Sequence, residues 1–194
     1  MIKHVLALVD VQNIYYGSLN YTDGAQQVDY AALMPFLTEE MVKYYRLILP
    51  EMARPYVEVS IDFTAYVVQT PRYNGAAFFA FLRSLGYALK SRSFSEESFM
   101  FDPDETESEW RGSVGSSIQM DMLDQGPDYD GVLVLSGSGV FEKVFRAMEG
   151  RWPHVTRVIA AFDNTLHHTY TSSSGLVNHI IHLDERVLRD KHGR

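Results

Sequence analysis

An acidic residue and an amide stand close together near the start of the chain, in the segment VDVQNIYYG. Asp10 follows a short apolar run, and Asn13 comes three residues later, where a helix could begin. A carboxylate and an amide at this spacing can share one ligand, and their oxygen atoms suit hard cations such as Mg²⁺ or Mn²⁺. The simpler alternative is that Asp10 only caps the helix. By itself the segment favours a cap and leaves a metal site open.

A second polar segment, Ser136-Gly137-Ser138-Gly139, follows the apolar run GVLVL. Glycines that flank a serine at a strand-to-helix turn expose backbone N–H groups, which can hold a phosphate. Ser136 and Ser138 are therefore candidate substrate-binding residues. The alternative is a tight turn that needs glycine for its backbone. The chain has no G-x-G-x-x-G after its first strand and no G-x-x-x-x-G-K-S/T, so it carries no fingerprint of dinucleotide or nucleoside triphosphate binding.

Apolar runs and helical periodicities alternate along the chain and would position both segments. They predict strands at residues 4–9, 57–69, 87–94, 131–135 and 155–162, a short edge strand at 180–183, and helices within residues 29–52, 73–85, 113–123 and 140–149. Pro35 and Pro50 are expected to bracket the regular part of the first helix. This alternation predicts an α/β fold, with a mostly parallel sheet and helices on both faces. Function in such sheets collects beyond the carboxyl ends of the strands, where Asp10 and Ser136 stand.

Four segments, taken in order, resemble the NYN domain, the LabA-like branch of the PIN-like nuclease superfamily. They are VDVQNIYYG, FFAFLRSLGY, RGSVGSSIQMDML and GVLVLSGSGVFEKVFRAME, within residues 2–162. The resemblance implies a Rossmann-like (PIN-like) sheet of about five strands, whose ends gather carboxylates around one or two Mg²⁺ or Mn²⁺ ions, and hydrolysis of RNA phosphodiester bonds. It also implies that Asp10 and Asp121 are catalytic, metal-binding carboxylates and that Asn13 is a supporting polar group.

The chain departs from the pattern of that family at three acidic positions. Gly115 stands where the middle helix of the family carries an acid, and Ser138 and Val140 replace the two acids of the turn after the fourth strand. Fewer carboxylates would weaken divalent-cation binding steeply, because the charge of the ligands holds the ion. The chain is then an enzyme with a reduced metal shell, a non-catalytic member of the family, or a sequence altered at these positions.

Three further residues are candidates for metal binding, for acid–base catalysis and for contact with RNA. Asp163 follows another predicted strand and is a candidate metal ligand, with an ordinary turn aspartate as the equal alternative. His167, four residues further on, could form an acid–base pair with Asp163, although a histidine without a catalytic role is the favoured alternative. Arg111 is a candidate for contact with RNA, because a guanidinium suits bidentate phosphate binding.

The size and composition of the chain exclude several classes of protein. With 194 residues it is expected to form one domain, residues 1–194, whose C-terminal extension at residues 164–194 carries a short strand or helix. Its 25 Asp+Glu against 17 Lys+Arg argue against a protein that coats polyanions through a broad basic face. The absence of cysteine excludes disulfides, thiolate metal sites and a cysteine nucleophile. No signal-peptide core or membrane-length apolar run is present, so we expect a soluble, cytoplasmic protein.

The excess negative charge is concentrated in one segment. Seven acidic residues and no lysine or arginine lie between residues 96 and 109, and the rest of the chain is nearly neutral. We expect residues 95–112 to form an acidic loop inserted beside the site. A solvated loop is the simplest interpretation. The alternatives are that it supplies carboxylates to a metal, screens the site from RNA, or binds a basic protein partner.

Three functional hypotheses follow from these patterns. The leading one is a ribonuclease that depends on Mg²⁺ or Mn²⁺. The second is a catalytically degenerate NYN-like module that binds RNA or a protein partner. The third is a domain that forms homo-oligomers and acts through its acidic loop. The presence of Asp10, Asn13 and Asp121 together favours the first.

Overall fold

The computed structural model describes residues 1–69, 75–93 and 103–191, with residues 103–113 described by their backbone alone. Its strands are β1 Ile2–Asp10, β2 Gln26–Val28, β3 Glu58–Gln69, β4 Ala88–Ser93, β5 Gly131–Leu135, β6 Thr156–Ala161, β7 His179–His182 and β8 Leu188–Asp190. Six of them form one parallel sheet in the order β4-β3-β1-β5-β6-β7. The predicted parallel α/β sheet is confirmed. The resemblance implies about five strands, and the sixth is β7, the short edge strand predicted at residues 180–183.

Strands β1 and β5 occupy the middle of the sheet because their side chains are apolar on both faces. The residues from Val5 to Val9 are at most 1% exposed, and every residue of β5 is buried. Such strands are stable where helices cover both faces of a parallel sheet. The register aligns Val9 with Leu135. Asp10 and Ser136 therefore extend from neighbouring strand ends, as the sequence predicts.

Helices cover both faces of the sheet, which confirms the predicted layering. They are α1 Val11–Tyr21, α2 Tyr30–Ile48, α3 Ala76–Ser84, α4 Pro103–Asp124, α5 Glu142–Arg151 and the short α6 Thr169–Ser172. One apolar core joins the sheet to α1, α2 and α3, where Ile14, Leu37 and Leu82 are fully buried. A second core joins the other face to α4 and α5, where Ile118 and Phe145 are fully buried.

Helix α2 runs through Pro35, so the expectation that prolines bracket its regular part is wrong at its start. The carboxylate of Asp29 caps this helix by accepting hydrogen bonds from two backbone N–H groups, at 2.9 and 3.4 Å. A proline inside a helix removes one backbone hydrogen bond. The cap and the burial of Leu33 in the core offset that loss. The helix ends at Ile48, two residues before Pro50.

The predicted acidic loop at residues 95–112 is wrong for residues 103–112, which belong to helix α4. Pro103 is the first residue of this helix, a position where proline costs no hydrogen bond. The acidic residues that follow it suit the positive end of the helix dipole. The remainder of the predicted loop, residues 95–102, lies outside the described residues.

The predicted C-terminal extension at residues 164–194 contains both a short helix and strands. After β7, strand β8 pairs antiparallel with β2 in a separate two-stranded sheet, with Arg189 opposite Gln27. This pairing returns the C-terminal segment to the neighbourhood of helix α1. In the part of the chain that the structure describes, no helix is both long and apolar enough to cross a membrane.

Candidate active site

Asp10 lies where strand β1 passes into helix α1. Its carboxylate caps the helix by accepting a hydrogen bond from the backbone N–H of Asn13 at 3.1 Å, so the predicted capping role is confirmed. The residue is only 5% exposed. Its other oxygen accepts a hydrogen bond from the Ser136 hydroxyl at 3.3 Å. Asp10 therefore connects the ends of the two central strands as well as capping the helix.

The Asp10 carboxylate is buried among uncharged groups. Burial raises its pKa from 3.8 to about 6, and hydrogen bonds from the Asn13 backbone, the Ser136 hydroxyl and the Gln12 backbone lower the pKa by less than burial raises it. Among the described residues, every group that hydrogen-bonds Asp10 is neutral. A buried anion of this kind is destabilised until a cation approaches it. This property makes Asp10 the strongest candidate for a metal-binding or catalytic group.

Asn13 and Ser138 hold the turn that follows strand β5. The side-chain oxygen of Asn13 accepts a hydrogen bond from the Gly137 backbone N–H at 2.8 Å. The Ser138 backbone N–H donates to the Ser136 hydroxyl at 3.3 Å, and the Ser138 hydroxyl accepts from the Val140 backbone N–H at 3.4 Å. Three N–H groups of this turn thus have acceptors inside the protein. This favours the tight-turn interpretation over a phosphate cradle.

The glycines of the turn are required by the segment that packs over it. A Cβ atom on Gly137 would lie 2.1 Å from the Thr165 carbonyl oxygen, and one on Gly139 would lie 2.8 Å from the ring of His167. The backbone N–H of His167 also donates to the Gly137 carbonyl at 2.8 Å. The imidazole of His167 is thereby placed against the turn.

We expect Gly137→Ala to lower the free energy of unfolding by at least about 2 kcal/mol, because the added methyl overlaps backbone that cannot rotate away. Urea denaturation measures this. The control is Gly150→Ala in helix α5, where nothing lies within 4 Å of the added Cβ and about 0.5–1 kcal/mol of stabilisation is expected. Equal stability of the two variants would contradict the packing argument.

Asp121 lies on helix α4 and is paired with two residues of the sheet. Its Oδ2 accepts hydrogen bonds from the Tyr66 hydroxyl and from the Lys90 ammonium, the latter at 2.5 Å. The register aligns Asp10 with Tyr66 and Tyr66 with Lys90, so these three residues form one row across β1, β3 and β4. Side chains of one row lie on the same face of a parallel sheet. Asp10 and Asp121 therefore both belong to the face that α4 covers.

Tyr66 remains a hydrogen-bond donor at neutral pH. Burial, followed by its hydrogen bond to Asp121 and the charge of that carboxylate, raises its pKa far above the usual value for tyrosine. The phenol keeps its proton and holds Asp121 in place. The side chain of Asp121 is 13% exposed, whereas that of Lys90 is 47% exposed. Neither Tyr66 nor Lys90 is among the residues singled out from the sequence.

Asp163 does not form the pair expected from its spacing. It hydrogen-bonds His182 of strand β7 at 2.5 Å, and both side chains are exposed. His167 hydrogen-bonds the Thr169 hydroxyl at 2.8 Å, so the predicted Asp163–His167 pair is wrong. Asp163 follows β6, which is two strands away from β1. Within residues 1–69, 75–93 and 103–191, no three His, Asp or Glu side chains are grouped so that they could hold a metal ion.

Gly115 and Val140, two of the positions at which the chain departs from the family pattern, are neighbours in the structure. A Cβ atom on Gly115 would lie 3.4 Å from the Val140 side chain, so these two substituted positions adjoin each other. Val140 in turn donates its backbone N–H to the hydroxyl of Ser138, the third substituted position. Arg111 belongs to helix α4, and its side chain lies outside the described residues.

Comparison with known proteins supports this fold and identifies the family. A crystal structure of a protein of unknown function from Vibrio parahaemolyticus RIMD 2210633 is similar, with a TM-score of 0.66 and 18% identity over 96% of each chain. A search of curated protein sequences finds no match. The NYN domain family model matches residues 4–179, which include Asp10, Asp121 and Ser136. The chain therefore belongs to the NYN domain family, within the PIN-like nuclease superfamily.

Proposed function

We propose that this protein is a divalent-metal-dependent ribonuclease that hydrolyses RNA phosphodiester bonds. The observation that carries the proposal is the buried Asp10 carboxylate at the end of β1, which has a raised pKa and, among the described residues, neutral hydrogen-bond donors. Asp121 supplies a second carboxylate on the same side of the sheet. Membership of a nuclease superfamily supports a hydrolytic use of these two groups.

The donor groups of the proposed site are of the chemical kind that one Mg²⁺ or Mn²⁺ ion would take. Asp10, Asp121 and Ser136 offer oxygen atoms, which hard cations prefer. Mg²⁺ is usually bound by one or two carboxylates together with phosphates of the substrate. Two carboxylates therefore suffice for an ion that RNA helps to bind. With so few charged ligands, the affinity for the metal alone is expected to be weak.

In this proposal the protein's own residues hold the reacting groups in position. When bound, the cation would stabilise the charge that develops on the phosphate and lower the pKa of a water. Asp10 is oriented by the Asn13 backbone and Ser136, and Asp121 by Tyr66. Lys90 adds an accessible positive charge beside Asp121, which attracts the RNA backbone.

The proposal is tested by cleavage of a 5′-labelled single-stranded RNA with Mn²⁺, with Mg²⁺ and with EDTA. Cleavage should require the metal. Asp121→Asn should slow it at least about a hundredfold, because loss of a group that only orients a metal ligand already costs roughly ten- to a hundredfold. Asp124→Asn, an exposed change near the end of the same helix, is the control and should leave the rate unchanged. Cleavage in EDTA at the same rate, or full activity of Asp121→Asn, would contradict the proposal.

A non-catalytic NYN-like module that binds RNA or a protein partner is the second candidate. It is favoured by the ion pair between Lys90 and Asp121, in which an ammonium already neutralises the carboxylate. Gly115 and Val140, which adjoin each other where the family pattern has two acids, carry no charge, and this points the same way. Such a module would show no rise in melting temperature with millimolar Mn²⁺. A rise that is lost in Asp121→Asn would exclude it.

A further inference from the structure

A cavity of about 480 Å³ lies on the opposite face of the sheet from Asp121. It is enclosed by the start of helix α1, the start of helix α3, the end of strand β3 and the two-stranded sheet. Gln12, which lines it, is separated from Asp10 by one residue. The cavity therefore adjoins the candidate active site.

Aromatic rings form much of the cavity wall. Tyr30 and Phe79 are buried at 3% and 5% exposure, whereas Tyr15 and Phe78 are partly exposed. The rings of Tyr30 and Phe78 meet edge to face, with centroids 5.5 Å apart. Small-molecule sites commonly measure about 300–1,000 Å³, so the cavity can admit one nucleotide. Aromatic faces of this kind bind unstacked bases of single-stranded RNA.

The polar groups of the cavity specify what kind of base would fit. The side-chain oxygen of Gln12 is buried and has no hydrogen-bond partner among the described residues. A buried acceptor without a donor is costly, and a ligand that brings an N–H group removes that cost. A glutamine amide is matched by adenine, whose amino group donates to the amide oxygen while a ring nitrogen accepts from the amide N–H.

A positive charge lies at the same cavity. Arg189 of strand β8 is exposed and lines the cavity, and it is aligned with Gln27 across the two-stranded sheet. Its guanidinium lies 5.8 Å from the ring centroid of Phe81, on helix α3. A guanidinium is suited to bind the phosphate of a nucleotide. The cavity is thus lined by aromatic rings, by a glutamine whose buried amide oxygen has no partner among the described residues, and by a cation.

We propose that this cavity binds an unstacked adenine of single-stranded RNA, with Gln12 reading the base and Arg189 holding an adjacent phosphate. The inference rests on the proposed ribonuclease function for its choice of RNA as ligand. It goes further by assigning a base preference to residues on the face opposite to Asp121.

Fluorescence anisotropy with labelled eight-nucleotide oligoadenylate and oligouridylate, in EDTA to prevent metal-dependent cleavage, tests this assignment. Oligoadenylate should bind at least about fivefold more tightly than oligouridylate, the lower limit for a bidentate amide–base contact. Gln12→Leu should abolish the difference, and Arg189→Gln should weaken both probes. Phe78→Ala, which leaves Gln12 in place, should also weaken both. Tyr56→Ala, at a 72% exposed tyrosine outside the cavity lining, is the control and should change nothing.

The outcomes separate this inference from the proposed hydrolysis. Equal binding of the two probes, or a preference for adenine that survives Gln12→Leu, would overturn it. Tight binding of adenosine 5′-monophosphate without oligonucleotide binding would overturn RNA as the source of the base. Adenine-selective binding by a protein that never cleaves RNA would support the cavity assignment and contradict only the ribonuclease proposal.

Discussion

Asp10→Asn is expected to stabilise the metal-free protein at pH 7 by about 3 kcal/mol and to abolish cleavage of RNA. The rise in the Asp10 pKa from 3.8 to about 6 means that ionising this buried carboxyl costs about 3 kcal/mol of folding stability. Asparagine removes the charge and can still cap helix α1, because its side-chain oxygen accepts the same backbone hydrogen bond. The substitution therefore separates the cost of the charge from the role of the cap.

The size of this stabilisation depends on pH. Below about pH 4 the carboxyl is protonated in both the folded and the unfolded chain, so wild type and Asp10→Asn should be equally stable. Between about pH 4 and 6 the unfolded chain ionises first, and wild type loses stability relative to the variant. Above about pH 6 the difference reaches its full value. Urea denaturation in EDTA from pH 4 to 7.5 measures it, and Asp124→Asn should show no comparable trend. A difference independent of pH would contradict burial of the Asp10 charge.

Asp10→Asn should slow cleavage of RNA although it stabilises the metal-free protein. Removing a hydrogen-bond partner of a metal ligand typically costs roughly ten- to a hundredfold, so loss of the Asp10 carboxylate should cost at least about a hundredfold. Mn²⁺ at ten times its dissociation constant should raise the free energy of unfolding of the wild-type protein by about 1.4 kcal/mol. Asp10→Asn should show no such gain. A stable, fully active Asp10→Asn variant would exclude Asp10 from the chemistry.

The centre of the sheet could be predicted from the sequence because strands β1 and β5 bury continuous apolar runs. The runs ending at Val9 and Leu135 place Asp10 and Ser136 at neighbouring strand ends, and the two side chains are in contact. Helix α4 is the largest error, although Pro103 followed by acidic residues is a recognisable helix start. The short strands β2 and β8 carry too few residues for a periodic signal.

The partners of the acidic residues could not be predicted, because they depend on register between distant strands. Tyr66 and Lys90 reach Asp121 only because β3 and β4 align with the end of β1. No local pattern marks either residue. Asp163 illustrates the same limit, since the side chain it binds, His182, comes from a separate strand and not from the next helical turn. Sequence spacing identifies neighbours along one element, whereas register decides neighbours across a sheet.

Restoring the acids of the family pattern should strengthen the metal site. We expect Ser138→Asp combined with Gly115→Asp to raise the apparent affinity for Mn²⁺ at least about tenfold and to increase the rate of cleavage, because ligand charge sets the affinity for hard cations. The geometry permits both changes. Among the described residues, an added Cβ at Gly115 meets the Val140 side chain at 3.4 Å, an ordinary van der Waals distance. Ser138 caps a helical turn through its hydroxyl, and aspartate caps equally well.

The matched control is the pair Ser138→Asn and Gly115→Asn, which has the same shape without the charge. Isothermal titration with Mn²⁺ and cleavage assays should separate the two pairs. Without metal the aspartate pair should bind RNA more weakly than the asparagine pair, because its carboxylates repel phosphate. Identical metal affinity in the two pairs would mean that the cation does not bind beside Ser138. Because Ser138 donates to the Ser136 hydroxyl that in turn contacts Asp10, that result would also count against Asp10 as a metal ligand.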